Sequence, residues 1–326
     1  MTIVTKIKLT LALGGAAALF AWPGWWWIDG AEPRSAVTVV LSESPLNVAL
    51  AGMLLGIVAT SVAMLIGRTQ AWQYALAAGP AGLTAWALRG AGAQALLVAH
   101  PTPQARQAMY AHMGWDVLAW AAVVLVGYLF ALAVLRLLGR RQTPAPAAAA
   151  GKPVAGGHAR KGVSPKETPR SDWLSHPWIR NTLAAVLTVV GAALLVALLA
   201  QSYETWVGTD RVQNLTLAPA KMQAVFAVAA AFFLATLGVD QLFSPHLEAL
   251  LGGPVVLGTV TCWWAAIYVD TTASPIVAQL LPEVLPIATI SPVTFVGAGL
   301  LAVQGGYWYS RHLHRERRQA LAAQAV

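Results

Sequence analysis

Ala-Ala-Gly-Pro at residues 77–80 and Leu-Gly-Gly-Pro at residues 251–254 each lie inside a long apolar segment, 174 positions apart. The same offset aligns two further pairs of prolines, Pro45 with Pro219 and Pro101 with Pro275. Three proline pairs in one register, each within matching hydropathy, indicate a tandem duplication. Proline lacks a backbone N–H and crowds the preceding turn, and glycine adds backbone freedom, so each Gly-Pro pair is predicted to break a helix.

The composition is typical of a membrane protein. Apolar residues make up 57% of the chain and charged residues only 10%, whereas soluble domains carry roughly 25% charged residues. The formal net charge is +8. Because the basic residues lie outside the apolar segments, we expect them to set topology and to face anionic lipid, and we expect no nucleic-acid partner. The single cysteine, Cys262, excludes an intrachain disulfide and a cysteine-based metal site.

The predicted fold is all-α, a polytopic bundle of about eight transmembrane helices arranged as two four-helix repeats. The repeats are expected at residues 1–141 and 176–310, with a flexible basic Pro/Ala-rich linker at 142–175 and a basic tail at 311–326. The first apolar segment ends in a cluster of tryptophans, which favours an uncleaved helix with an interfacial belt over a signal peptide. The predicted spans are residues 9–28, 45–67, 80–99, 115–138, 179–200, 219–238, 254–269 and 291–309.

The charge distribution predicts the topology. Sixteen of the 21 lysines and arginines fall on one side under this assignment, and four fall on the other side. By the positive-inside rule this bias places both termini in the cytoplasm of a multi-pass inner-membrane protein. Each four-helix unit then starts and ends on the same side, so the two repeats are predicted to be parallel.

Interrupted helices at corresponding places in two halves are a sequence pointer to a site in transporters. Charged residues inside a span are a second pointer. Arg89, nine residues after Pro80, is predicted to lie deep in the membrane with Asp116 as its partner. The pair is either an anion or headgroup site or, the preferred interpretation, a salt bridge between the third and fourth spans. The full candidate substrate or helix-break site is Gly79, Pro80, Arg89, Asp116, Gly252, Gly253, Pro254 and Trp263, the last at the position that matches Arg89.

The sequence predicts no catalytic residue, no cofactor and no metal. All seven histidines fall in loops or near span ends, and no His or carboxylate pair has metal-binding spacing. No nucleophile elbow, P-loop or dinucleotide fingerprint appears. Asp240 and Asp270, at span ends, are expected to be solvated, as are His312 and His314 in the basic tail.

Three functions stay open at this point. A transporter or permease for a small neutral, anionic or amphiphilic solute fits the paired interruptions. A non-catalytic anchor or scaffold subunit of a larger membrane complex fits the small-residue helices and basic segments equally well, and an intramembrane enzyme is the third. A polar cavity beside the two Gly-Pro motifs favours transport, whereas a solid core there favours the scaffold. The basic linker and tail either bind anionic lipid or a protein partner, or serve only as topology signals.

Overall fold

The computed structural model describes residues 3–28, 37–67, 71–137, 176–201, 219–269, 271 and 286–324. The predicted linker at 142–175, Pro275 and Asp270 lie outside these ranges. A π-helical turn, Phe20–Gly24, lies within the first helix, and a second, Phe295–Gly299, leads directly into the last. The helices are α1, Ile3–Ile28; α2, Pro45–Gly67; α3, Ala71–Arg89; α4, Ala93–Ala99; α5, Pro103–Leu137; α6, Pro177–Leu199; α7, Lys221–Phe243; α8, Leu247–Tyr268; and α9, Leu300–Gln324.

Six of the described helices are long and apolar enough to cross a membrane, namely α1, α2, α5, α6, α7 and α8. Their outward faces expose large apolar side chains such as Leu54, Leu129 and Leu194, which lipid solvates and water does not. These helices indicate an integral, multi-pass membrane protein and confirm the predicted helical bundle. Neither α3 nor α9 is among the six, although the sequence assigns the third and eighth spans to these regions.

Hydrogen bonds between helix ends show that successive long helices alternate in direction. At one end, the Tyr74 hydroxyl donates to the Thr5 carbonyl, and the His246 backbone N–H donates to the Asn181 side chain. At the other end, the Lys221 ammonium donates to the Gly90 carbonyl. We call the first end the basic end, because α1 begins there and the Arg-rich part of α9 emerges there, and we call the second the opposite end.

An aromatic core joins α1, α3 and α5. The ring centroids of Phe20 and Trp86 are 4.6 Å apart, and those of Trp86 and Trp120 are 5.6 Å apart. All three side chains are fully buried. The Trp86 indole N–H donates to the Phe20 carbonyl at 2.7 Å, within the π-helical turn of α1. The Trp86 ring is packed in the apolar core, and its one polar atom is hydrogen-bonded. The contact therefore holds α1 against α3.

The turn Phe295–Gly299 and the start of α9 lie in the middle of the bundle, packed against α3, α7 and α8. Two glycines permit this approach. A Cβ atom on Gly297 would lie 2.6 Å from the backbone nitrogen of Thr84, and one on Gly299 would lie 2.7 Å from the Cβ of Pro254. The last helix therefore contacts the proline-containing helices of both halves. The halves also meet along α5 and α8, which pack side by side.

The predicted helix breaks are wrong. Pro80 lies inside the continuous helix α3, and Pro254 lies inside the continuous helix α8. Residues 247–253, which lie outside the predicted span 254–269, form the first turns of α8. The predicted third span at 80–99 is instead divided, because α3 ends at Arg89 and α4 begins at Ala93. Transmembrane helices tolerate proline where neighbouring groups satisfy the freed backbone atoms.

Replacement of Gly297 by alanine tests the central packing. The added methyl group has no space because it meets backbone rather than a flexible side chain, so we expect a loss of about 1–3 kcal/mol in the free energy of unfolding. The matched control is Gly305→Ala, where the new Cβ would lie 3.6 Å from the Phe233 ring, an ordinary contact. Denaturant titration in mild detergent measures both variants. Equal effects of the two substitutions would contradict the close backbone approach.

Candidate functional site

Pro80 leaves one carbonyl of α3 without its usual donor. In a regular α-helix the N–H of residue 80 would pair with the carbonyl of Leu76, but proline has no N–H. The Gln304 side-chain amide of α9 donates to that carbonyl at 3.0 Å. The Gln304 side chain is 1% exposed, so the hydrogen bond lies in the interior. The first Gly-Pro motif is thus the point at which the last helix is joined to α3.

The second Gly-Pro motif packs in a different way. Pro254 contacts Gly299 in the π-helical turn, and Gly253 faces the Phe232 ring. Gly252 is exposed, and a Cβ atom built on it meets nothing within 4 Å. The second motif therefore packs, from the side of α8, against the π-helical turn that leads into α9. The two motifs do not converge on a shared cavity in the described part of the protein.

A small cavity borders the first motif only. Its volume is about 10 Å³, which is close to the minimum that holds one water molecule. Thr60 and Tyr128 are the only lining residues with polar side chains, and the other lining residues are apolar. The lining residues are Phe20, Gly56, Thr60, Ala75, Leu76, Gly79, Pro80, Val123, Val124, Gly127 and Tyr128.

Asp116 is a completely buried carboxylate, with 0% of its surface exposed. Its Oδ1 atom accepts hydrogen bonds from the backbone N–H groups of Val39 at 2.8 Å and Val40 at 2.6 Å. Its Oδ2 atom has no hydrogen-bond partner among the described residues. The backbone at residues 37–40, between the first two predicted spans, is therefore folded into the opposite end of the bundle and held there by Asp116.

The predicted salt bridge between Arg89 and Asp116 is not formed. Arg89 is exposed at the last position of α3, where its guanidinium donates to the Ala21 carbonyl and lies 5.0 Å from the centre of the Trp25 ring. Both contacts are with the end of α1. Because α3 begins at Ala71, Arg89 lies about 27 Å along the helix axis. The predicted position deep in the membrane depended on a helix that starts at Pro80, and that start is wrong.

Trp263 lies close to Asp116 in the fold. It is 37% exposed, and its ring meets Trp115 in an edge-on contact with centroids 5.4 Å apart. Gly114 leaves room for the Trp263 indole, since a Cβ atom there would overlap it. Two of the predicted residues, Asp116 and Trp263, are thus brought together between α5 and α8. Arg89, at the end of α3, lies apart from them and contacts α1.

Two further polar positions were not predicted as site residues. Gln304 is a single amide within the apolar stretch 297–306, a signal that the sequence did contain. Asp240, predicted to be solvated, is instead 0% exposed. Its carboxylate lies 3.4 Å from the Arg311 guanidinium and 3.8 Å from the His314 ring nitrogen. The prediction was wrong because the Arg-rich segment continues α9 and folds over the end of α7.

The described side chains offer little catalytic chemistry. Within the described ranges, no three His, Cys, Asp or Glu residues come close enough together to hold a metal ion. The buried Asp116 and Asp240 lie at opposite ends of the bundle, so they do not form an acid–base pair. No protein-family model, no curated protein and no solved structure matches this chain.

The bond between Gln304 and Leu76 can be tested with a double-mutant cycle. We expect Gln304→Leu to cost about 1 kcal/mol of unfolding free energy, a typical value for an interhelical hydrogen bond in a membrane bundle. In a Pro80→Ala background residue 80 regains an N–H that can pair with the Leu76 carbonyl, so the cost falls to about half or less. Pro254→Ala is the matched control, and its effect should add to that of Gln304→Leu. Additivity in both backgrounds would show that Gln304 does not compensate for Pro80.

The role of Asp116 can be tested by cysteine labelling. Thr38 is buried, so a cysteine placed there in a Cys262→Ala background should react slowly with a small maleimide. Asp116→Leu removes the acceptor of two backbone hydrogen bonds, and we expect labelling to rise about tenfold, as a loss of ~1.4 kcal/mol predicts. Asp116→Asn, which keeps one acceptor oxygen, should change it less. An equal rise in Arg89→Gln would instead support the predicted Arg89–Asp116 pair.

Proposed function

We propose that this protein is a non-catalytic membrane subunit that anchors or organises partner proteins. The observation that carries the proposal is the packed centre. Binding sites for small molecules are commonly cavities of about 300–1,000 Å³, whereas the cavity beside Gly79 and Pro80 holds about 10 Å³. Pro254 is packed against Gly299. The two motifs that would line a central solute site instead form helix contacts.

The proposed architecture has eight crossing helices in two parallel repeats. The helix order α1, α2, α3, α5 corresponds to α6, α7, α8, α9. In each set the first helix packs against the second and third, and the second packs against the fourth. The 19-residue helix α3 is about 28 Å long, nearly the thickness of the hydrocarbon layer. The units are residues 1–141 and 176–310, joined by the linker 142–175 and followed by the basic segment 311–326.

The proposed location is the inner membrane, with both termini in the cytoplasm. This location is supported by the positive-inside rule. Because the helices alternate in direction, sixteen lysines and arginines fall at the basic end and in the linker. The alternation itself is supported by the hydrogen bonds that join helix ends. The lipid bilayer is then the main partner of the apolar helix faces, with no nucleic-acid partner.

A transporter for a small neutral, anionic or amphiphilic solute is the second candidate. Buried acceptors within the bundle favour it, because the Asp116 Oδ2 and Gln304 Oε1 atoms have no hydrogen-bond partner among the described residues. Ionisable and polar groups inside a membrane commonly mark a solute or ion pathway. The π-helical turn Phe295–Gly299 adds to this, since such turns are frequent at functional sites.

The native particle size separates the two candidates. We expect the tagged protein, expressed at its natural level and extracted directly into nanodiscs, to run as a particle much heavier than the 34.3 kDa chain plus its disc. Quantitative mass spectrometry should find another protein at a fixed ratio. The same chain made in an unrelated host is the control. A single chain or a homo-oligomer from its own membranes would exclude the scaffold proposal.

A further inference from the structure

The last helix continues well beyond the bundle. Residues in the first part of α9, such as Val303, Gln304 and Ser310, are buried, whereas every residue from Arg315 to Gln324 is exposed. The aromatic residues Trp308 and Tyr309 lie near the end of the buried part of α9, and we take them as the level of the membrane interface, where such residues are enriched. Sixteen residues follow Trp308 within the same helix, so α9 projects about 24 Å past that level.

The base of this projection is fixed to the end of α7. The Arg311 guanidinium lies 3.4 Å from the buried Asp240 carboxylate. The Gln241 side chain donates to the Ser310 hydroxyl at 2.6 Å and accepts from Arg317 at 3.2 Å. A buried carboxylate has a large desolvation cost. A segment that served only as a positive-inside signal would need charge but no such fixed direction.

The projecting part carries unneutralised positive charge. Arg311 is paired with Asp240, and His312 lies 3.1 Å from Glu316. In the described part of the protein, Arg315, Arg317 and Arg318 have no carboxylate at ion-pair distance. The linker has a net positive charge, with Lys152, Arg160, Lys161, Lys166 and Arg170 against Glu167 and Asp172. These exposed arginines are therefore available to pair with acidic groups of another molecule.

The position of Arg318, at the outer limit of attraction to the lipid surface, favours a protein partner over lipid. Arg318 lies ten residues past Trp308, about 15 Å along the axis, whereas the headgroup layer is about 5–8 Å thick. Electrostatic attraction to the lipid surface falls off within a further ~8 Å at physiological ionic strength. The membrane part of α9 also packs against α3, α7 and α8. Leu321, 66% exposed among the polar residues, offers an apolar contact.

We propose that residues 315–324 of α9 form a docking helix for a partner protein with an acidic surface around an apolar contact. Helix-in-groove recognition uses this combination of charged and apolar positions. Arg315 and Arg318 are three residues apart and are therefore neighbours on the helix surface, as are Arg318 and Leu321. The inference rests on the proposed scaffold function. It adds which end of the protein binds the partner and what chemistry the partner surface has.

Site-directed photocrosslinking in the membranes of the source cells tests this docking helix. With benzoyl-phenylalanine in place of Leu321, we expect one crosslinked protein species whose crosslinked peptide is rich in Asp and Glu. The double variant Arg315→Glu/Arg318→Glu should reduce that species about tenfold, because two charge pairs become repulsive. The matched control is Lys6→Glu/Arg136→Glu, which changes the same charge at exposed positions of the basic end on α1 and α5, and it should leave the crosslink intact.

Four outcomes would overturn the docking helix: no protein crosslink, crosslinks to lipid alone, a crosslinked peptide without acidic residues, or a crosslink that resists charge reversal at Arg315 and Arg318. The native particle size distinguishes a failure of the docking helix from a failure of the scaffold function. If the wild-type particle contains a partner at a fixed ratio and the double variant keeps it, the scaffold function stands and the docking helix is wrong. If the wild-type protein runs as a single chain, both are wrong.

Discussion

A backbone carbonyl inside a membrane needs a donor from the protein, because lipid provides none. Pro80 removes the donor that would normally satisfy Leu76, and the fold supplies one from Gln304, on a helix more than two hundred residues away in the chain. That hydrogen bond requires α9 to lie beside α3. The glycines of the preceding π-helical turn allow the same approach, since only the absence of a side chain at Gly297 lets the turn meet the α3 backbone. The packing of α9 against α3 in the centre of the bundle is thus linked to the N–H that Pro80 lacks.

The local sequence pattern was sufficient to predict the class of fold, but it was insufficient to predict whether the helices continue through the prolines. Runs of about twenty apolar residues with few charges predict transmembrane helices, and six such helices are present among the described residues. A Gly-Pro pair predicts a break only if no neighbour repairs the helix. At Pro80 the repair comes from Gln304, and at Pro254 the helix also continues. The repair at Pro80 is a tertiary contact that no window of sequence around the proline contains.

The sequence identified Arg89 and Asp116 as unusual charged residues, but it did not predict which groups they pair with. Arg89 and Asp116 fall at neighbouring helix ends, which made a salt bridge plausible. In the structure, backbone groups pair with both residues: a carbonyl of α1 accepts from Arg89, and two N–H groups of the folded segment 37–40 donate to Asp116. Asp240 was overlooked because a span end predicts solvation. Its burial depends on the continuation of α9 past the bundle, and the basic composition of that segment had predicted a solvated tail.

Polar groups are therefore used differently in the middle and at the basic end of this protein. In the middle, Gln304 and the glycines join helices and leave room for about one water molecule, so a solute path there requires the last helix to separate from α3. At the basic end, Asp240 gives up solvation to hold a helix that carries the exposed Arg315 and Arg318. Burying a carboxylate is costly, and an arrangement of this kind is useful when the direction of the projecting helix matters. A fixed, basic helix above a closed bundle is better suited to holding another protein than to moving a solute.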